Sequence, residues 1–476
     1  MDFTTFSNII AGSPRGSDIT TSGTNPLNQA PLWPAPVATA NDVEDAVHAA
    51  KEAFPSWSQM SYKQRTELLD RFADLYLSHA SDFCQLLTKE CGRSKSTLLH
   101  NGYDIHVCPK VIHLDSLVVL TRIAKYELPE EKIEDDEKTV IVTHEPLGVV
   151  AAICPWNFPL MLAIGKIAPA LATGNCVILK PSPFTPYSSL KLVELAQQVF
   201  PPSVLQVLHG DNDLGPRLVK HSDIQKISFT GSTATGKQIL KDGADTMKCI
   251  TLETAGNNAS IVLPDVDLRA IIPQIAGGLW FNAGQVCAAT RRLYIHQDIF
   301  DEAVAQLQEA TAETSKDLVS GVGPIQNRAQ YEKLKQALVD ARQAGYTLIS
   351  PGRREPEEGF FVQPTIVVSP PQEADIVQHE NFGPIVSCIK FSSIDEAVSM
   401  ANSSNSGLAA SVWSSDISTA RRVASSLEAG NVYINGPPRP DPHVPFGGHK
   451  QSGLGVEYGL QGLLSYCQTK STYLYK

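Results

Sequence analysis

From residue 138 onward, short apolar and β-branched runs alternate with stretches of helical periodicity, and this alternation constrains the fold more than any other feature. Strands are predicted at 138–143, 147–154, 176–180, 204–208 and 226–230, and helices at 160–173, 186–199 and from about 233. Strands separated by such helical stretches are typical of βαβ units around a parallel sheet. The pattern restarts after about residue 254, with strands at 261–264 and 292–296 around a helix at 268–281. The sequence therefore predicts an α/β chain with two successive α/β regions.

The part of the chain before this alternation is predicted to be mixed. The first 35 residues are rich in Gly, Pro, Ser and Thr and are typical of short strands and turns. Residues 41–54 and 62–91 have helical periodicity. The acidic run at 129–137 is typical of a solvated hairpin or linker.

Length and charge exclude several classes of protein. The 476 residues suffice for two or three domains, and 42% hydrophobic with 19% charged residues excludes a largely disordered chain. The formal net charge of −11 leaves no broad basic surface for a phosphate backbone, so no nucleic-acid partner is expected. The nine cysteines form no CxxC pair and the first residues lack the pattern of a signal peptide, which predicts reduced thiols and a cytoplasmic protein.

One stretch is long enough to suggest a membrane span. Pro146–Gly165 carries no charge over 20 residues. Pro155 and Pro159 would break a single helix there, and Asn157 would place an amide in it. A buried strand, a turn and the start of a helix are predicted instead, so no membrane partner is expected.

The first candidate for chemistry is the turn FTGSTATGK at 229–237. Gly231, Ser232 and Gly236 follow a predicted strand and open a predicted helix, where backbone N–H groups can bind an anion. The turn fits a dinucleotide-binding loop or a purely structural turn. It fits a P-loop poorly, because Gln238 stands where Ser or Thr would bind magnesium.

Three side chains are candidates for catalysis, each with a plain structural alternative. Cys287 follows an apolar helix and a Gly-Gln break, and is either an activated thiolate or a small buried side chain. Glu253 ends an apolar strand at the edge of a parallel sheet where active sites collect, and is otherwise a solvated carboxylate. Asn157 lies between the prolines of PWNFP, which either presents an amide to an oxyanion or forms a rigid turn.

Taken together, these segments carry a family resemblance. The motifs, in chain order, are PWNFP, KIAPALATGNCVILKPS, FTGSTATG, TLETAGN, GQVC, ENFGP and PFGGHKQSG. From about residue 30 to 470 the chain resembles the aldehyde dehydrogenase superfamily, particularly short fungal and bacterial members of its NAD(P)-dependent, non-acylating branch.

The resemblance implies a catalytic role for five residues. Cys287 matches the nucleophile, Glu253 the general base, and Asn157 the side chain that stabilises the oxyanion together with the Cys287 backbone N–H. Lys166 and Glu457 match positions that relay the proton. The implied reaction passes through a thiohemiacetal and a thioester on Cys287, and water then hydrolyses the thioester.

The resemblance also implies NAD or NADP as cofactor and no metal. The residues matching coenzyme contacts are Trp156, Lys180, Ser182, Gly231, Ser232, Gly236, Glu380 and Phe382. Among them, Lys180 matches a contact to the adenosine ribose, and Glu380 and Phe382 match contacts to the nicotinamide ribose and ring.

The implied architecture is an aldehyde dehydrogenase-like fold of three parts. A Rossmann-like coenzyme-binding domain would comprise 1–121 and 145–253, and an α/β catalytic domain 254–462. A small β oligomerisation arm would comprise 122–144 and 463–476. Because the family pairs this arm with a neighbouring subunit, a homodimer or homotetramer is expected.

Three departures from the family pattern bear on activity. Pro183 replaces a Glu that many NAD-preferring members place against the ribose 2′-hydroxyl, so NADP becomes a possible cofactor. Thr254 and Ala255 replace Leu-Gly after the base, and a Cβ at residue 255 limits positive φ and the movement of Glu253. Gly165 and Pro440 stand where aromatic residues often line the substrate funnel, which predicts a wider funnel for a larger or more polar aldehyde, such as an intermediate of a biosynthetic pathway.

Two other functions remain open at this point. An acylating dehydrogenase would pass the thioester to coenzyme A, but it has no need of a base such as Glu253. A catalytically retired structural relative would not need Cys287, Glu253 and Asn157 together. A small-molecule aldehyde is the expected substrate.

Overall fold

The predicted alternation folds into two parallel sheets. The structure, a computed structural model, describes residues 1–93, 126, 128–353 and 355–476. In chain order, its strands are β1 (Asn8–Ile10), β2 (Ser13–Arg15), β3 (Thr20–Thr24), β4 (Pro31–Pro36), β5 (Glu131–Glu134), β6 (Lys138–Pro146), β7 (Val149–Ile153), β8 (Cys176–Lys180), β9 (Leu205–Val207), β10 (Lys226–Thr230), β11 (Cys249–Glu253), β12 (Asn258–Val262), β13 (Thr290–His296), β14 (Thr347–Ile349), β15 (Thr365–Val368), β16 (Ile385–Phe391), β17 (Ser406–Gly407), β18 (Ala409–Trp413), β19 (Asn431–Ile434), β20 (His449–Lys450), β21 (Gly453–Leu454) and β22 (Cys467–Tyr475). The α/β class predicted from the sequence is confirmed.

The first sheet has the order β2-β1-β9-β8-β7-β10-β11-β21. Its central strands β7 to β11 are parallel, and their chain order across the sheet reverses between β7 and β10. In open α/β sheets a ligand binds at such a reversal, beyond the carboxyl ends of the strands. The strands β7, β8 and β10 are buried along their whole length, which explains why their sequences are almost continuously apolar.

The second sheet has the order β14-β15-β16-β13-β12-β18-β19, and all its strands except β14 are parallel. It is built from the part of the chain after residue 254, where the sequence predicts that the pattern restarts. Its core is separate from that of the first sheet.

Helices flank both sheets. In chain order they are α1 (Ala40–Gln59), α2 (Tyr62–Ser78), α3 (Ala80–Cys91), α4 (Pro159–Ala172), α5 (Tyr187–Ala196), α6 (Leu214–Lys220), α7 (Thr233–Gly243), α8 (Leu268–Trp280), α9 (Phe300–Thr314), α10 (Arg328–Gln343), α11 (Asp375–Gln378), α12 (Ile394–Asn402), α13 (Ile417–Ser425) and α14 (Gly459–Leu464). The predicted helical stretch 62–91 is two helices, because the backbone leaves the helical conformation at His79. The uncharged stretch Pro146–Gly165 divides among the end of β6, β7, a turn and α4, and none of the described helices has the length and apolar character to cross a bilayer.

A third, antiparallel sheet has the order β22-β6-β5 and contains the predicted acidic hairpin. Nearly all of β22 is exposed, with Tyr473 at 56% and Tyr475 at 77%. This sheet corresponds to the predicted arm, whose residues 122–125 and 127 lie outside the described residues, as do 94–121 of the predicted coenzyme-binding domain.

Candidate active site

Several predicted site residues lie at the carboxyl edge of the first sheet. Glu253 is the last residue of β11 and Lys180 the last of β8, while Trp156 and Asn157 lie in the turn between β7 and α4. The strand β21 pairs with the end of β11 and brings Glu457, which follows it, to the same edge. Residues 300 positions apart in the chain therefore share one edge of the sheet.

Cys287 lies in a turn between α8 and β13, which the chain reaches through a tightly bent segment. Asn282 in that segment has a φ of 53°, a conformation that non-glycine residues rarely adopt. The Cys287 carbonyl accepts a hydrogen bond from Asn258 Nδ2 at 2.7 Å, which fixes the backbone of the turn. Burial raises the pKa of the Cys287 thiol well above its ordinary value, and the charges of Glu253 and Glu380 raise it further. The thiol is therefore protonated at neutral pH and needs a base beside it to react.

The Glu253 carboxyl group lies against the Cys287 thiol. Glu253 is 2% exposed, and neither of its oxygens accepts a hydrogen bond of standard geometry from the described residues. Burial raises the pKa of Glu253 to about 8; the charge of Glu457 adds to this rise and Lys166 opposes it. A carboxyl group that titrates near neutral pH can both accept and donate a proton.

Lys166 and Glu457 form a buried ion pair next to Glu253. Lys166 Nζ donates to Glu457 Oε1 and, at 2.8 Å, to Thr230 Oγ1. Burial alone would lower the pKa of Lys166, but the attraction of Glu457, Cys154 and Glu253 together outweighs it and the pKa is raised. Because both members of the pair shift the pKa of Glu253, the three groups form one electrostatic cluster.

The Asn157 amide is attached to the loop that carries Cys287. Asn157 Nδ2 donates to the Gln285 carbonyl at 3.1 Å, and an amide nitrogen carries a second N–H for another acceptor. The Asn157 carbonyl accepts hydrogen bonds from the Arg93 guanidinium and, at 3.4 Å, from Asn282 Nδ2. A buried amide donor held in this way suits an oxyanion that forms on a substrate carbon bound to the nucleophile.

The predicted phosphate-binding turn joins β10 to α7. Ser232 is the N-cap of α7, and its hydroxyl accepts a hydrogen bond from a backbone N–H of the first turn. A Cβ on Gly231 would lie 2.5 Å from Phe229 Cζ, and a Cβ on Gly236 would lie 3.0 Å from Thr254 Cγ2. Glycine at both positions therefore lets this turn pack closely, with the N-terminus of a helix open to an anion.

Lys180 and Ser182 are both buried in the loop after β8. Among the described residues, the Lys180 ammonium hydrogen-bonds to the Pro181 carbonyl at 3.3 Å. Burial lowers the pKa of Lys180 to about 8. An ammonium group with so few acceptors fits a ligand that brings hydroxyl oxygens, as the ribose of a dinucleotide does.

Trp156, Phe382 and Glu380 form the second group of predicted coenzyme contacts. The rings of Trp156 and Phe382 meet edge to face, with centroids 5.3 Å apart. The Glu380 carboxylate accepts a hydrogen bond from the Gly256 N–H at 3.2 Å; burial raises its pKa to about 7, and the charge of Arg291 opposes the rise. Aromatic faces and a carboxylate next to the Cys287 loop suit a flat heteroaromatic ring joined to a ribose.

The two unusual residues after the base fold without backbone strain. Ala255 does not have a positive φ, so its Cβ is compatible with the backbone. The Ala255 carbonyl accepts a hydrogen bond from Ser452 Oγ at 2.7 Å, and Thr254 Oγ1 donates to the Gln451 carbonyl at 2.7 Å. Any restriction on the movement of Glu253 therefore comes from these hydrogen bonds and not from strain.

Gly165 does not leave open space in the expected funnel. A Cβ on Gly165 would lie 3.2 Å from both Cε1 and the hydroxyl of Tyr458. Tyr458 has a φ of 61° and packs near Phe446 and Cys287. The Tyr458 ring fills part of the volume that the sequence analysis predicts for the substrate. Pro440 is half-buried in the segment before Phe446.

Sequence reasoning missed two buried arginines at this site. Arg93 contacts the Asn157 turn, and no motif in the sequence singles it out. Arg291 donates to the carbonyls of Gly383 at 3.0 Å and Val286 at 3.2 Å, and so joins the Phe382 turn to the Cys287 loop. The two adjacent arginines of β13, four residues after the candidate nucleophile, mark the position of Arg291 but not its partners.

The family of the chain follows from comparisons with known proteins. The model of the Aldehyde dehydrogenase family matches residues 15–472. The chain belongs to the aldehyde dehydrogenase family. Proteins of this family are oxidoreductases. The enzyme class and the family resemblance predicted from the sequence are therefore both confirmed.

Relatives and solved structures match the aldehyde dehydrogenase chain along nearly its whole length. FUS7 of Gibberella fujikuroi is 72% identical over 476 residues, covering 100% of both chains, and Aldehyde dehydrogenase LUC3 of Fusarium sp is 63% identical over 478 residues, also covering 100% of both. An aldehyde dehydrogenase from Bacillus cereus, solved as an NAD+ complex, is 32% identical, with a TM-score of 0.93 over 99% of this chain and 96% of that chain.

Proposed function

We propose that this aldehyde dehydrogenase oxidises an aldehyde to the carboxylic acid with NAD(P)+, through a thiohemiacetal and then a thioester on Cys287. The observation that carries the proposal is the buried contact between the Cys287 thiol and the Glu253 carboxyl group. The attachment of the Asn157 amide to the same loop supports it.

In the first step, the Cys287 thiol transfers its proton to Glu253 and its sulfur adds to the aldehyde carbon. The electron pair of the carbonyl π bond moves to the oxygen, where the Asn157 N–H and the Cys287 backbone N–H stabilise the negative charge. A nicotinamide held by Trp156, Glu380 and Phe382 would supply the hydride acceptor that this oxidation requires. Collapse of the oxyanion expels the hydride and leaves a thioester on Cys287.

In the second step, water attacks the thioester and the carbon–sulfur bond breaks. Glu253, whose pKa burial raises to about 8, first gives up the proton that it took from the thiol, then takes a proton from the water and returns it to the departing Cys287 sulfur. The buried pair of Lys166 and Glu457 carries the released thiol proton away from the site. The products are the carboxylic acid, the reduced cofactor and one proton.

The predicted coenzyme contacts fit a dinucleotide. Gly231, Ser232 and Gly236 would hold the pyrophosphate at the N-terminus of α7, and the buried amine of Lys180, with Ser182, would hold the adenosine ribose. Trp156, Glu380 and Phe382 would hold the nicotinamide end. The NAD+ complex of the Bacillus cereus relative supports NAD, and Pro183 removes a carboxylate that would repel a 2′-phosphate, so NADP is expected to bind as well.

The size of the aldehyde and the assembly of the chain are separate proposals. Pro440, in place of an aromatic residue, supports a larger or more polar aldehyde, such as a biosynthetic intermediate, whereas Gly165 adds no space because the Tyr458 ring lies beside it. The exposed strand β22 supports a homodimer or homotetramer joined through the arm. The proposed location is the cytoplasm, as the sequence predicts.

The test of the main proposal is the formation of NADH or NADPH, followed at 340 nm, across short aliphatic, aromatic and amino aldehydes. Turnover that disappears in Cys287→Ala is the expected result. Turnover that survives this substitution contradicts the proposed nucleophile, and acetaldehyde oxidised as fast as any larger aldehyde contradicts the proposed substrate size. Acceleration by coenzyme A, with an acyl-coenzyme A product, would instead indicate the acylating reaction.

A further inference from the structure

Arg93 is a buried arginine that connects two segments of the candidate site. It directly follows Gly92, the left-handed residue that ends α3, and is 5% exposed. Its Nη2 donates to the Asn157 carbonyl, its Nε donates to Asn282 Oδ1 at 3.0 Å, and its guanidinium lies 4.3 Å from the centre of the Phe158 ring. One side chain thus contacts both the turn that carries the amide donor and the bend that precedes the nucleophile.

These contacts belong to a closed set of hydrogen bonds. Asn282 Nδ2 donates to the carbonyls of Asn157 at 3.4 Å and Gln285 at 3.3 Å. Gln285 Nε2 returns a hydrogen bond to the Asn282 carbonyl at 2.9 Å. The Gln285 carbonyl, in turn, accepts the hydrogen bond that orients the Asn157 amide. Among these hydrogen-bonded residues Arg93 is the only cation, and its rigid planar guanidinium group holds two acceptors at once.

We propose that Arg93 is a positioning residue that fixes the Asn157 amide relative to Cys287, so that the amide N–H meets the oxyanion when it forms. This inference rests on the proposed function. Without Arg93, the Asn157 carbonyl keeps the longer bond from Asn282, and the turn that carries the amide is free to shift. A shift of about 1 Å in a catalytic donor lowers the rate by roughly 100-fold, so the effect falls on the chemical step.

The test compares Arg93→Gln and Arg93→Lys with Arg65→Gln. Arg65 is a matched control, because it is equally buried and also donates to backbone carbonyls, at Ala172 and Ser58. Single-turnover formation of NADH measures the chemical step, and fluorescence titration measures the Kd for NAD+. The rate of Cys287 alkylation by iodoacetamide reports whether the thiol is still correctly placed, because alkylation forms no oxyanion.

Arg93→Gln is expected to lower the single-turnover rate about 10- to 100-fold. The Kd and the alkylation rate should each stay within about twofold, and Arg93→Lys should recover part of the rate, since it keeps the charge and can make one of the two bonds. Arg65→Gln should lower the melting temperature without this selective loss of rate. An unchanged rate in Arg93→Gln, or an equal loss of rate, coenzyme binding and alkylation, overturns the inference.

A double-mutant cycle with Asn157→Ala locates the effect. If Arg93 acts through the amide, Arg93→Gln causes no further loss of rate in the Asn157→Ala background. If the two losses multiply, Arg93 acts elsewhere and the inference is wrong. A wild-type protein that oxidises no aldehyde overturns the proposed function together with this inference, whereas an active wild type with a fully active Arg93→Gln overturns the inference alone.

Discussion

The raised pKa of Glu253 predicts how the stability of the protein depends on pH. In the unfolded chain this carboxyl group titrates near its ordinary value of 4.5, whereas burial raises its pKa in the folded protein to about 8. Between these values the folded state holds a proton that the unfolded state has lost, so stability falls as pH rises. Above the folded pKa both states are ionised and the loss levels off.

The size of this loss of stability follows from the two pKa values of Glu253. At about 1.4 kcal/mol for each pKa unit, Glu253 alone removes roughly 4 kcal/mol of stability between pH 5 and pH 9. Glu253→Gln cannot ionise and does not carry this loss. Unfolding 476 residues involves an entropy of about 1 kcal/mol/K, so a change of roughly 4 kcal/mol in stability shifts the melting temperature by about 4 °C. The melting temperature of Glu253→Gln minus that of the wild type should therefore be roughly 4 °C larger at pH 9 than at pH 5.

Differential scanning fluorimetry of the two proteins in matched buffers from pH 5 to pH 9 measures this difference. Only a change of the melting-temperature difference with pH tests the pKa of Glu253. A difference that stays constant with pH reflects how the amide introduced at residue 253 packs. Glu309→Gln is a suitable control, since that carboxyl group is exposed on α9 and is none of the site residues. Melting curves of wild type and Glu253→Gln that stay parallel across the range would refute the assignment of a raised pKa to Glu253.

Three further predictions concern turnover, the ion pair and the arm. Glu253→Gln should lower both the burst of reduced cofactor and the steady-state turnover by roughly 100-fold or more, because the Cys287 thiol and the hydrolytic water both lose their base; stopped-flow absorbance at 340 nm measures this, and an unchanged burst or steady state contradicts it. Glu457→Gln leaves the Lys166 charge buried beside Thr230 and should cost about 3 kcal/mol of stability, seen as a lower melting temperature; a variant as stable as the wild type would show that the pair is not needed. Removal of residues 467–476 should give monomers by size-exclusion chromatography with light scattering, because it deletes the exposed strand β22, and assembly that persists without it rules out the arm as the interface.

The sequence predicted the strands and most helices of the first sheet because the signal there is local. The strands β7, β8 and β10 are buried on both faces, so their residues read as apolar runs between turns. The break at His79 was missed, because no Gly or Pro marks it and the apolar spacing continues through it. Gly165 was interpreted as open space because its neighbour in the fold, Tyr458, lies far along the chain.

The catalytic candidates could be found from sequence because a resemblance marks them, but the groups that support them could not. Arg93 and Arg291 act on backbone carbonyls, and any residue type supplies a carbonyl. Their partners therefore leave no trace in the residue pattern. The pKa of Glu253 likewise depends on burial and on Glu457 and Lys166, which the fold assembles from distant segments.

The pairing of β21 with β11 has a consequence for the synthesis of the chain. Leu454 lies opposite Leu252, so the ribosome must add about 200 residues after β11 before that edge of the first sheet is covered. At roughly 5–20 residues per second, the nascent sheet keeps an unpaired edge for about 10–40 s. Unpaired strand edges attract other chains, and chaperones protect nascent chains with such surfaces. Because Glu457 follows β21, the proposed proton relay can be complete only after this edge has closed, and an incompletely translated chain therefore has Cys287 without the Glu457 carboxyl group.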